Sequence, residues 1–209
     1  DLLQLYPEIE FEKLHVIPNG VDKEFKIIDV TIEKSKKYLL YVGSRIGCKN
    51  FEFNLKLMSN SDFIKKNGFK LVCVGGGEFT ENEYNLFQKY KLESKISQVA
   101  NVENDELNKL YNGAYALLFP SRYEGYGIPA LEAQKAGCPV LYAITSSLPE
   151  VMGYAILGYQ LDNLDEASKK LALLNNQKFK DKIVLKGLEH ASKLSWENCA
   201  ALTLGIYKK

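Results

Sequence analysis

The sequence predicts an α/β protein built on a doubly wound, Rossmann-like parallel sheet of about six strands. Two observations carry this. Short apolar runs recur at Tyr38–Val42, Leu71–Val74, Ile96–Val99, Ala116–Phe119, Val140–Ala143 and Ala155–Leu157. Helical patterns lie between them, at Asn50–Ser59, Asn82–Tyr90, Asp105–Tyr111 and Ile128–Ala136, with a short one near Pro149–Met152. Strands alternating with helices imply a parallel sheet covered on both faces. In such a fold the ligand lies beyond the carboxyl ends of the strands.

The remaining elements follow in order. Asp1–Lys13 reads as the end of a helix plus a linker, and a start at Asp1-Leu2-Leu3 reads as an excised fragment. Leu14–Ile17 is expected to be a short strand, closed by the turn Pro18-Asn19-Gly20. Three helices are expected after the last run, at Leu164–Leu174, Phe179–Ser192 and Trp196–Lys208. The expected division is a linker over 1–13, a Rossmann-like domain over 14–194 and a C-terminal helix over 195–209.

Composition narrows the function. The chain has 209 residues, 46% hydrophobic, enough for one domain with a real core. A net charge of +1 gives no general attraction to nucleic acid or acidic lipid. No apolar run approaches transmembrane length. Cys48, Cys73, Cys138 and Cys199 form no C-x-x-C pair and read as free thiols. His15 and His190 lack ligand-like neighbours and there is no D-x-D pair, so no metal site is expected.

The strand ends supply the candidate residues. After the first core run comes Gly43-Ser44-Arg45-Ile46-Gly47-Cys48-Lys49-Asn50, where Arg45 and Lys49 can neutralise a diphosphate. Gly75-Gly76-Gly77-Glu78 follows the second, but lacks both the G-x-G-x-x-G spacing and a Walker lysine. It reads as a tight turn that lets a loop or ligand approach. Asn104-Asp105-Glu106, after the third, reads as a helix start. The fourth run leads through Pro120-Ser121-Arg122 to Glu124–Glu132, E-G-Y-G-I-P-A-L-E. A glycine turn opening a helix suits an anion, and acceptor-only carboxylates suit sugar hydroxyls. Pro129 fits the first helical turn, and Glu132 leans back toward the helix start. Thr145-Ser146-Ser147 reads mainly as a helix cap, and Trp196 as packing.

Read together, these motifs make the chain resemble the C-terminal, donor-binding half of GT-B glycosyltransferases of the retaining family 4 (group 1) type. The resemblance rests on His15–Phe25 (H-V-I-P-N-G-V-D-K-E-F), Tyr41–Asn50 (Y-V-G-S-R-I-G-C-K-N) and Glu124–Glu132, the E-x7-E signature. Ser147–Gly153 and Ser195-Trp196-Glu197 also fit. It implies that Arg45 and Lys49 bind the donor diphosphate beside Gly43, and that Glu124 contacts the transferred sugar and Glu132 the ribose. The amides of Gly125, Tyr126 and Gly127 would approach the sugar and distal phosphate, and Arg45, Lys49 and Glu124 would carry catalysis. The family usually has phenylalanine at Tyr126, and its arginine usually follows the glycine directly, where Ser44 intervenes here.

The resemblance further implies a UDP- or GDP-sugar donor, a glycan or lipid-linked acceptor held by a missing N-terminal domain, and transfer with retention and no metal or other cofactor. It implies cytoplasmic placement at the inner membrane face and polysaccharide assembly. Two other readings remain open: a UDP-sugar epimerase of the same architecture, and a non-catalytic nucleotide-sugar-binding module. The missing glycine fingerprint disfavours a nicotinamide-dependent oxidoreductase.

Overall fold

A computed structural model describes residues 2–28, 37–153 and 157–208. Six parallel strands form one sheet in the order β3-β2-β1-β4-β5-β6. They are β1 (Tyr38–Val42), β2 (Lys70–Val74), β3 (Ile96–Val99), β4 (Ala116–Phe119), β5 (Val140–Ala143) and β6 (Gly158–Tyr159). The doubly wound α/β fold expected from the sequence is the one observed. Its strand order reverses between β1 and β4, which pair through Leu39↔Ala116 and Leu40↔Leu117.

The central strands β1, β4 and β5 are apolar along their length because both faces are covered, while the edge strand β3 carries Ser97 and Gln98. Leu39 and Tyr41 of β1 join Leu71, Leu118 and Leu141 in one core, with Phe51, Leu55 and Leu57 of α2 (Phe51–Asn60). Leu40 joins Leu117 and Val140 in the other, with Ala130, Leu131 and Ala133 of α6 (Ile128–Lys135). Leu39, Leu40, Leu71 and Leu117 are 0% exposed, and each is worth about 1.5–3 kcal/mol on burial.

The other helices in chain order are α1 (Leu2–Leu5), α3 (Asp62–Asn67), α4 (Glu81–Tyr90), α5 (Asn104–Gly113), α7 (Leu148–Val151), α8 (Leu164–Leu173), α9 (Gln177–Ala191) and α10 (Trp196–Tyr207). Several start on a side-chain cap. Ser61 accepts from the Ile64 amide, Asn163 from Glu166, Asn176 from Phe179 and Ser195 from Asn198.

Several expectations meet a different structure. Leu14–Ile17 is not a strand. It lies outside the sheet, leaves Val16 85% exposed, and shares a cavity wall with Ala201, Leu202 and Ile206 of α10. Residues 155 and 156 of the expected run Ala155–Leu157 lie outside the described residues, and the last strand is Gly158–Tyr159. Helix α3 was not expected, because it follows α2 after the single residue Ser61. Helix α5 starts at Asn104, where the Asn104-Asp105-Glu106 run predicts a helix start, but Glu103 before it makes no side-chain cap bond. Trp196 is 41% exposed, so packing uses only part of its surface.

Candidate functional site

The loops that leave β1 and β4 diverge at the reversal of strand order, where a doubly wound sheet opens a crevice. The β1 loop begins at Gly43, whose φ of 127° only glycine adopts readily, and whose amide donates to the Val74 carbonyl at 2.9 Å. Residues Gly47–Lys49 make one 3-10 turn, and Asn50 sits left-handed ahead of α2. Two bonds stitch this loop to the one after β4. The Arg122 amide donates to the Cys48 carbonyl at 2.7 Å, and Asn50 Nδ2 donates to the Pro120 carbonyl at 3.1 Å.

Lys49 and Glu124 meet across that seam. Lys49 Nζ donates to Glu124 Oε1 at 2.7 Å, and Ser121 Oγ donates to the same oxygen at 2.6 Å. The Glu124 side chain is 9% exposed and that of Lys49 is 31% exposed. The Glu124 backbone is held from the β5 side. Its amide donates to Ser146 Oγ at 2.9 Å, and its carbonyl accepts from Ser146 Oγ and Ser147 Oγ at 2.9 Å each. Ser147 precedes α7 but makes no side-chain cap bond, so the expected capping role gives way to bracing Glu124. Thr145 Oγ1 adds a bond to the Ser121 carbonyl at 2.7 Å.

The glycine turn runs on into α6. Gly127 is its N-cap, with a φ of 100°, and Pro129 lies in the first turn. A Cβ on Gly127 would come within 2.9 Å of Leu148 Cδ2. Tyr126 turns its hydroxyl away from the turn, to the Asn19 carbonyl at 3.1 Å, and burial raises its pKa. Gly125, Tyr126 and Ser147 share a cavity of about 300 Å³ with Ile17, Glu150 and His190.

Glu132 stands one turn into α6, and its Oε2 accepts from the Tyr111 hydroxyl at 3.0 Å. Burial pushes the Glu132 carboxyl pKa upward, and the Tyr111 bond only partly offsets that. Tyr111 is fully buried, which with the neighbouring carboxylate raises its own pKa well above the ordinary range.

Arg45, the other loop cation, is turned away from Lys49 and Glu124. Its side chain is 2% exposed, and its Nε pairs with Glu83 Oε1 at 2.5 Å. Nη1 donates to the Gly75 carbonyl at 2.6 Å, and Nη2 to those of Gly77 and Glu78 at 2.8 and 3.0 Å. The guanidinium lies 4.7 Å from the Phe79 ring centroid. Of the two loop cations, the structure brings Lys49 to Glu124 and turns Arg45 into the β2 side.

Sequence reasoning missed the supporting side chains Ser121, Glu83 and Tyr111. Thr80 and Glu83 form a T-x-x-E capping box, a local signal that starts α4 at Glu81, one residue before the expected Asn82. The second use of Glu83 as a partner for Arg45 joins residues 38 apart, which no local pattern reports.

A cation, a braced carboxylate and a glycine-opened helix thus meet at the crevice of the doubly wound sheet. The chain belongs to the family described as glycosyl transferases group 1, which it matches over residues 22–189. It is 31% identical over 173 residues to O-antigen chain mannosyltransferase B of Escherichia coli, covering 82% of this chain and 45% of that protein. It is 32% identical over 180 residues to the O-antigen chain mannosyltransferase RfbU of Salmonella typhimurium, covering 84% and 47%. The chain thus spans about half the length of these relatives. Among solved structures, an S. aureus TarM mutant in complex with Fondaparinux, alpha-GlcNAc-glycerol and UDP shares the fold. Its TM-score is 0.75 at 18% identity, over 99% of this chain and 42% of that one.

Proposed function

We propose that this chain is the donor-binding domain of a retaining, family 4 glycosyltransferase, and that the whole enzyme moves a sugar from a nucleoside-diphosphate donor to a glycan or lipid-linked acceptor. The observation that carries the reading is the Lys49–Glu124 pair beside a glycine-opened helix at the reversal of strand order. Lys49 would exchange its bond to Glu124 for the diphosphate. Lys49 is 31% exposed and the Ser121 hydroxyl stays on Glu124 Oε1, so the carboxylate keeps a donor when Lys49 leaves. The amides of Gly125, Tyr126 and Gly127 would approach the distal phosphate and sugar. Glu124 would accept from sugar hydroxyls while keeping Ser121, and Glu132 would accept from the ribose. Gly43 would let the backbone pass close to the diphosphate.

The bond between the anomeric carbon and the diphosphate oxygen would break as an acceptor hydroxyl attacks from the same face and passes its proton to the leaving diphosphate. Negative charge grows on the leaving diphosphate, where Lys49 and the helix-end amides would stabilise it without a metal. The names of the relatives favour a mannosyl donor, with UDP or GDP as its carrier. Their lengths support assigning the acceptor half to sequence outside these 209 residues, so residues 14–194 would hold donor and transfer nothing alone.

A thermal-shift screen of the full-length enzyme against UDP- and GDP-sugars, with and without EDTA, tests the reading. A donor-specific shift followed by an α-linked product is expected. Release of an epimer without transfer, or no shift with any donor, overturns it.

A further inference from the structure

We propose that Arg45 is a positioning residue, the template on which the Gly75–Glu78 loop is wound beside the donor site. Gly75, Gly76 and Gly77 have φ of 81°, 76° and 73° in succession. Such a left-handed run is open to glycine but gives up much conformational freedom on folding. The guanidinium supplies the compensation by gathering the carbonyls of Gly75, Gly77 and Glu78 within 2.6 to 3.0 Å. The fit leaves no slack, since a Cβ on Gly76 would come within 2.7 Å of Arg45 Nη1.

The same side chain joins the loop after β1 to the loop after β2 and to the start of α4, and neighbouring bonds extend the network to β3. Glu83 Oε1 takes Arg45 Nε, while Glu83 Oε2 accepts from the Thr80 amide at 2.7 Å and from its hydroxyl at 2.9 Å, fixing the start of α4. Gln98 of β3 donates to the Gly77 carbonyl. The Gly43 amide, which opens the Lys49 loop, donates to Val74 at the end of β2. A planar fork is needed, because a lysine at this position presents one point charge and three donors and cannot span the same carbonyls. The inference rests on the reading of the crevice as a donor site. It assigns Arg45 to the wall of that site, with no contact to the diphosphate.

Arg45→Lys and Glu83→Gln test it, the second keeping the acceptor that caps α4. The first readout is amide hydrogen exchange over residues 76–79 in the full-length enzyme without donor. The second is the split between donor KM and kcat. Arg45→Lys is expected to speed exchange in the loop and to raise donor KM about tenfold, with kcat within about twofold. Glu83→Gln should shift both in the same direction by less. Unchanged exchange overturns the template role whatever the kinetics show. Unchanged exchange with a large fall in kcat would show instead that Arg45 contacts the leaving diphosphate. Faster exchange with unchanged KM overturns the link to the donor. If the unaltered enzyme binds no nucleotide sugar, the proposed function fails, while the exchange readout still decides what Arg45 does to the loop.

Discussion

Arg45 and Lys49 share one loop after β1, and the fold treats them in opposite ways. The guanidinium reaches Glu83 and four backbone carbonyls on the β2 side of the sheet, with its side chain 2% exposed. The ammonium reaches Glu124 on the β4 side and keeps 31% of its side chain exposed. A planar fork with several donors suits a buried cradle of carbonyls, and a flexible point charge suits a partner that must change. The comparison separates a cation that builds the site from one that is free to serve a ligand.

The sharpest way to break this distinction is to remove each charge. Arg45→Gln leaves Glu83 and the loop carbonyls without their partner, so the chain should lose about 3–5 kcal/mol of stability in denaturant titration. Lys49→Met leaves Glu124 with its Ser121 donor, at a pair that water partly reaches, so it should cost less stability than Arg45→Gln. Its cost should fall on turnover, about 100-fold or more in the full-length enzyme, as for loss of a group that stabilises a leaving anion. If Lys49→Met destabilises as much as Arg45→Gln, the two cations do not differ as the geometry says.

How much of this the sequence showed depends on the distance between partners. Five strands were legible because residues such as Leu39, Leu71 and Leu117 sit in apolar runs buried on both faces. The Glu124–Glu132 turn was legible because glycine, proline and two carboxylates lie within one short stretch. The fate of Arg45 was not, because it depends on Glu83 and on carbonyls some 30 residues away. Leu14–Ile17 looked like a strand locally, yet no sheet edge accepts it. Helix α3 was hidden because Ser61 both ends α2 and caps the next helix.

The glycines of the two regions differ in the same way. Gly76 is closed by Arg45 itself, and Gly127 by Leu148 Cδ2 at 2.9 Å. Gly127→Ala should cost about 1–3 kcal/mol in thermal unfolding, from a left-handed φ and that contact. It should also weaken donor binding by displacing the start of α6. A variant as stable as the parent would mean that α6 can start elsewhere.

The smallest expected effect concerns the carboxylates on either side. Burial pushes Glu83 up, but its hydrogen bonds to Arg45 and Thr80 more than offset this and hold its pKa below the ordinary 4.5. Burial dominates at Glu132, and its pKa is held above 4.5. The signs follow from which state holds the proton more tightly. Glu83 stabilises the fold above the ordinary carboxylate value, and that stability is lost as pH falls through its folded pKa. Glu132 does the reverse: its contribution is full below the ordinary value and is lost as pH rises through its raised folded pKa. Glu132→Gln keeps an acceptor for Tyr111 and removes the charge. It should therefore be slightly more stable than the parent at pH 7, with the gap closing near pH 4 (about where an unperturbed carboxylate protonates). Glu83→Gln should be less stable at pH 7 and also converge toward acid. Parallel pH profiles for the two variants would show that the two sides of the crevice do not hold their carboxylates differently, and the division between a structural β2 side and a ligand-facing β4 side would lose its electrostatic basis.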